Sequence, residues 1–152
     1  VNFKLSALAG NRQKPATKEN GHAHKHTHDQ DQAKNEISLN NLDFSTSKLS
    51  KNDLFQVSYT VPQGNIPLNT FHSWQLKITD QQGDPVNAVV TVDGDMPKHG
   101  HGLPTRPIAK STGKGTYTVQ GLKFHMRGWW QIIFKIKTAE NHDQVLFNFM
   151  LP

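Results

Sequence analysis

From residue 54 onward, apolar side chains recur at every second position. Leu54–Val61 sets Phe55, Val57, Tyr59 and Val61 on one side and Gln56, Ser58 and Thr60 on the other. His72–Thr79 does the same with Trp74, Leu76 and Ile78, and Asn87–Val92 with Ala88, Val90 and Val92. Tyr117 and Val119 mark another such run. Trp130, Ile132, Phe134 and Ile136 mark a long one, and Val145, Phe147, Phe149 and Leu151 the last. A period of two is that of a β-strand with one buried face. Ile37–Asp43 reads as a first strand and Arg106–Lys110 as a weak one, with turn residues at 80-DQQGDP-85 and 112-TGKG-115. No 3.6-residue period of useful length competes. The pattern predicts an all-β chain, an immunoglobulin-like antiparallel β-sandwich of seven to eight strands.

Residues 1–36 break the pattern. Between positions 10 and 36 there is almost no large apolar residue, so burial cannot offset the entropy of ordering this segment. The expected organisation is a polar, His-rich N-terminal arm over 1–36 and a sandwich domain over 37–152. The arm carries 22-HAHKHTH-28, in which His22, His24, His26 and His28 alternate with other residues. In an extended segment alternate side chains share one side, an arrangement suited to capturing Cu(II), Zn(II) or Ni(II) as an auxiliary site. The interleaved Ala23, Lys25 and Thr27 set the tract apart from an engineered tag. Some twenty extended residues span roughly 65 Å, so the arm has the reach to form a homo-oligomer with a second copy.

The segment 93-DGDMPKHGHGLP-104 concentrates glycine, proline, methionine and histidine between two strand-like runs. If successive strands run alternately up and down, every second connection lies at the same end. The connections fall at 44–53, 62–71, 80–86, 93–105, 111–115, 120–128 and 139–143. The second leads into His72, the fourth holds Met96, His99 and His101, and the sixth holds His125 and Met126. One pole therefore receives four histidines and two methionines, while His142 falls at the other pole as an ordinary surface histidine. Each residue also has a plainer role open to it. His72 is in phase with Trp74 and Leu76 and suits a satisfied core histidine, and Met96 and Met126 suit core filler. Convergence is what favours a metal site at His72, Met96, His99, His101, His125 and Met126.

Composition narrows the chemistry. With no cysteine in 152 residues, disulfides, thiolate ligands and cysteine nucleophiles are excluded. Imidazole suits copper, zinc and nickel, whereas thioether favours copper, Cu(I) above all; the set reads as copper first and zinc second. Asp93 and Asp95 offer oxygen ligands but read first as turn formers. Which methionine faces the site is left open. The net charge of +5 is spread along the chain without a basic block interleaved with aromatics, so nucleic acid is not the expected partner. No stretch reaches the roughly 18–20 apolar residues of a membrane span. Ala7-Leu8-Ala9 has the small-x-small spacing of a signal-peptidase site. Paired carboxylates, an activated nucleophile and a cofactor motif are all lacking, so a binding protein rather than an enzyme is expected.

The runs 93-DGDMPKHGHGLPTRP-107, 71-FHSWQLKITDQQGDPV-86 and 115-GTYTVQGLKFHMRGWWQI-132 resemble the YtkA-like family of small exported β-sandwich domains related to the FixH proteins. The similarity covers about residues 54–138. It implies an immunoglobulin-like fold, a periplasmic or otherwise extracytoplasmic and sometimes membrane-associated location, and a link to copper handling or respiratory-oxidase assembly. Met96, His99, His101, His125 and Met126 match the motif positions, with His72 in the H-S-W run. The expected function is a copper-binding carrier, buffer or oxidase-assembly factor whose partners are the metal ion and a membrane oxidase or metal transporter. The alternatives are a zinc-binding protein of the same architecture and a metal-free module docking a membrane partner.

Overall fold

The alternation of apolar residues becomes nine strands that close on one another with their apolar sides inward. The computed structural model describes Gly10 and residues 38–152. The strands are β1 (Ser47–Leu49), β2 (Phe55–Thr60), β3 (His72–Asp80), β4 (Val89–Met96), β5 (His101–Gly102), β6 (Ile108–Gly113), β7 (Thr116–Leu122), β8 (Gly128–Lys137) and β9 (His142–Leu151). They form two antiparallel sheets, one ordered β1-β2-β3-β7-β6 and the other β5-β4-β8-β9. The result is the expected immunoglobulin-like β-sandwich. Among the described residues no helix is long and apolar enough to cross a membrane.

The core lies between the sheets. Val57, Trp74, Ile78, Val119, Trp130, Ile132, Phe134 and Phe147 are fully buried there, each from an inward position of its strand. Burying one such side chain contributes about 1.5–3 kcal/mol, so the alternating pattern is the main source of stability. Tyr117 brings a hydroxyl into this apolar layer and satisfies it twice. It donates to Val86 O at 2.6 Å and accepts from Ala88 N at 2.8 Å, fastening the β3–β4 connection to β7.

Three boundaries differ from expectation. Ile37–Asp43 is not a strand: Leu39–Asn41 forms one 3-10 turn, where the adjacent Asn40 and Asn41 favour turn geometry, and residue 37 lies outside the described residues. The first strand is instead Ser47–Leu49. The Arg106–Lys110 strand begins and ends later, at Ile108–Gly113. The third is the D-G-D-M stretch, which is no loop. β4 continues through Met96, keeping Val90, Gly94 and Met96 buried in alternation with exposed Thr91, Asp93 and Asp95.

β9 is a ten-residue strand at the edge of its sheet, and the segment around β1 lies along that edge. Lys51 N donates to Gln144 O at 2.8 Å, Lys48 Nζ to Leu146 O at 2.9 Å, and Asn148 Nδ2 to Asp43 O at 3.2 Å. At the end of β9 away from Gly128, Asp143 is buried at 6% exposure. Its carboxylate accepts from Ser50 Oγ at 2.6 Å, from Asn52 N at 3.0 Å and from Gln144 N at 2.8 Å. Burial pushes this carboxyl up, but hydrogen bonds from Ser50 and from the N–H groups of Gln144, Asn52 and Leu54 outweigh it and hold the group below its ordinary value.

A folded-state pKa below the unfolded value means that Asp143 stabilises the fold above the ordinary aspartate range of about 4. The contribution fades as the pH falls through the depressed value. Asp143→Asn is expected to cost about 1–3 kcal/mol at neutral pH. Urea denaturation at pH 7 and at pH 3 should show the two proteins converging at the lower pH.

Candidate metal centre

The strand directions bring β3 in and β4 out at the same end of the sandwich, where β7 also ends and β8 begins. His72 opens β3, His101 follows the turn after β4, and His125 lies in the β7–β8 connection. β5 is an extra strand between them, yet at two residues it does not cross the sheet, so the connections keep their parity.

The turn between β4 and β5 is tight. His99 N and Gly100 N both donate to Met96 O, at 2.9 and 3.0 Å, and Gly100 takes a φ of +62°, the left-handed region in which a side chain would strain the backbone. This leaves His99 exposed at the tip, with His101 returning opposite Met96. Directly opposed residues share a face, so His101 and Met96 lie on the core side of the hairpin. Met96 is fully buried, and a Cβ on Gly128 would come within 3.3 Å of its Cε. Met96 thus lies in the core next to Gly128, on the side of the hairpin that His101 shares. Met126 is half-buried against the same core, and its carbonyl accepts from Trp130 Nε1 at 2.9 Å.

Three imidazoles are near neighbours in succession. The ring centroids of His99 and His101 are 6.2 Å apart and those of His101 and His125 5.9 Å. Two imidazoles bonded to one metal at about 2.0–2.1 Å have centroids roughly 5–6 Å apart, so these spacings lie close to a shared ion. No three imidazole, carboxylate or thiolate groups among the described residues are already gathered around one point. His125 packs edge-on against Trp130, with centroids 5.6 Å apart. Its Nδ1 is buried and has no hydrogen-bond partner among the described residues. An unpaired buried polar atom costs about 1–3 kcal/mol, and this one sits on a residue type that binds metals.

His72 belongs elsewhere. It is buried, its Nδ1 lies 3.0 Å from Thr70 O, and its Nε2 accepts from Trp74 Nε1 at 3.1 Å. Both ring nitrogens are engaged, which leaves no lone pair for a metal, so the expectation of a ligand here is corrected to a core histidine. The signal was present in H-S-W, where positions two apart share a face. Asp93 and Asp95 are exposed on the face of β4 opposite Met96 and do not aim at the histidines. Burial and then the nearby Asp93 charge hold Asp95 above the ordinary carboxylate value. His22, His24, His26 and His28 lie outside the described residues, and His142 opens β9 at the far pole, as expected.

The contrast between the two histidines is measurable. His72→Phe strands Trp74 Nε1 and is expected to cost about 1–3 kcal/mol. His125→Phe removes an unpaired nitrogen from an aromatic contact and should leave the metal-free protein as stable or more so. Denaturation of both variants in a chelator checks the pair.

A DUF4426 family protein from Pseudomonas aeruginosa PAO1 has a similar fold, with 17% identity and a TM-score of 0.50 over 71% of this chain and 96% of that one. The ZirS C-terminal domain is similar at 14% identity and a TM-score of 0.38, over 95% of this chain and 86% of its own. No curated protein matches the sequence significantly. The model of the YtkA-like family matches residues 50–135, more than half of the 152. The match takes in β2 to β7, most of β8 and every histidine of the pole, and the chain belongs to the YtkA-like family.

Proposed function

We propose that this chain is an extracytoplasmic copper-binding protein, a carrier, buffer or oxidase-assembly factor, that takes its cargo at the histidine pole. His101 and His125 supply the central imidazoles, His99 closes from the turn, and the buried thioether of Met96 lies below, with Met126 as a second thioether nearby. The observation that carries the reading is the buried, unpartnered Nδ1 of His125 beside His101. Coordination would satisfy that nitrogen, so a metal ion bound there would have a stabilising role. The mixture of imidazole and thioether without thiolate favours copper over zinc. The exposed hairpin suits a cargo that is handed on, to a membrane oxidase or a metal transporter, and the arm histidines suit a capture site that feeds the pole.

One observation favours the metal-free alternative. Phe71 is 66% exposed beside the pole, with Lys123 Nζ 5.1 Å from its ring centroid, which suits a module that docks a membrane partner through an apolar-basic spot.

The test titrates the full chain, and a variant with His22, His24, His26 and His28 all changed to alanine, with Cu(I) and Zn(II) under competition. The arm variant should keep stoichiometric Cu(I), and the further changes His101→Ala and His125→Ala should abolish it, whereas His99→Ala should weaken it. Zinc displacing copper at the arm variant would make zinc the cargo. Failure of that variant to hold any metal while the full chain does would assign the metal to the arm alone, and failure of both would leave the docking module as the surviving reading.

A further inference from the structure

A second feature lies at the opposite end of the molecule, on the outer face of the β5-β4-β8-β9 sheet. There a cleft of about 570 Å³ is walled by Lys51, Lys135, Lys137 and His142, with Val89 and Thr91 in its floor. The register explains the crowding of charge. Lys137 is directly opposite both Val89 on β4 and His142 on β9, and Lys135 is opposite Thr91 and Gln144. Lys135 and Lys137 are two apart on one strand and so share the outer face, roughly 7 Å from each other. Lys51 is brought to the rim by the hydrogen bond from its N–H to Gln144 O.

This arrangement is unfavourable by itself. Like-charged residues opposite or beside one another on a sheet face destabilise it, and sheets ordinarily intersperse carboxylates among such lysines. Here the first carboxylate on the outer face of β4 is Asp93, diagonal to Lys135 and beyond Thr91, and Lys137 has only Val89 and His142 opposite it. Among the described residues the one ion pair within 4.0 Å joins Lys48 to Asp43, away from these lysines. Asp143 also lines the cleft, but its oxygens are committed inward to Ser50, Asn52 and Gln144. Three lysines and a histidine therefore line an open concavity with one carboxylate, Asp143, which makes no ion pair with them within 4.0 Å, so positive charge is in excess there.

We propose that this cleft is a binding site for a small polyanion carrying at least two phosphate or carboxylate groups. Lys135 and Lys137 engage separate anionic groups along the strand, Lys51 closes over them from the rim, and His142 donates from the β9 side. The exposed Val89, at 68%, gives the floor an apolar spot against which the ligand's linking atoms can rest. Lysine is suited to this task because its ammonium is a compact charge on a flexible stem, able to follow ligands of differing geometry. The site shares no residue with the histidine pole and does not depend on the metal reading.

The experiment is a titration of the full chain with tripolyphosphate, and separately with citrate, followed by amide and histidine-ring NMR shifts at low ionic strength. Saturable shifts confined to β4, β8 and β9 around Val89, Thr91, Lys135, Lys137, His142 and Gln144 are expected. Saturation by tripolyphosphate alone defines a phosphate site, and saturation by both defines a general polyanion site. Lys137→Glu and Lys135→Glu should each weaken binding by about tenfold, through loss of attraction and gain of repulsion at contact distance. Lys110→Glu, on the exposed edge strand β6, should leave it unchanged, and Lys135→Gln guards against an effect of charge reversal on folding. Shifts that never saturate, or an equal loss in Lys110→Glu, would overturn the proposal by reducing the effect to general attraction of anions to a basic protein.

Discussion

Phe124 holds the histidine pole in place. Its ring packs 5.8 Å from Trp74, 5.2 Å from Trp130 and 4.8 Å from Phe149, so it touches β3, β8 and β9 from a connection that belongs to no strand. Tyr59 extends the stack beyond Trp74 at 4.4 Å. With Phe124 facing inward, Lys123 is turned to Phe71, and His125 lies at the margin of the core between Trp130 and His101. Truncating such an aromatic costs about 3–5 kcal/mol, and here the loss would also free the chain that positions His125. The pole is thus an outgrowth of core packing and not a loop decoration added to it.

The same packing divides the histidines by chemistry. His72 is tied into the apolar layer by two hydrogen bonds, and its ring stands 5.5 Å from Phe124. His125 is one layer further out and lacks that support. His99 and His101 are exposed, carried by a hairpin whose own hydrogen bonds are made by its backbone. A gradient from satisfied to free imidazole runs outward from the core, with the unsatisfied member at the boundary.

Much of this was legible in the sequence, because a period of two leaves little choice about which side of a strand is buried. Trp74, Leu76, Ile78, Trp130, Ile132 and Phe134 all face inward as their spacing requires. Strand parity placed the β4–β5 turn and the β7–β8 connection together despite a first strand assigned wrongly. Composition misled where it competed with period. Asp93, Gly94 and Asp95 look like a turn, yet extending the Val90–Val92 frame by two and four residues lands on Gly94 and Met96, both buried. The side-chain bond between Trp74 and His72 also follows from a shared face, but spacing alone cannot say that a ring nitrogen will be used up by it. The orphaned nitrogen of His125 and the crowding of Lys135, Lys137 and His142 depend on cross-strand neighbours and are invisible to any local pattern.

The segment lying along β9 has a consequence for how this chain behaves in company. An uncovered ten-residue edge is a template onto which any extended peptide can add as a further strand, including the same strand of another copy. The backbone carbonyls of Gln144 and Leu146, two apart on that edge, are taken by Lys51 N and Lys48 Nζ, and the Asn148 side chain reaches across to Asp43 O. Residues 43–51 therefore act as a guard rail along part of β9, and losing them would open that edge to pairing with a further strand.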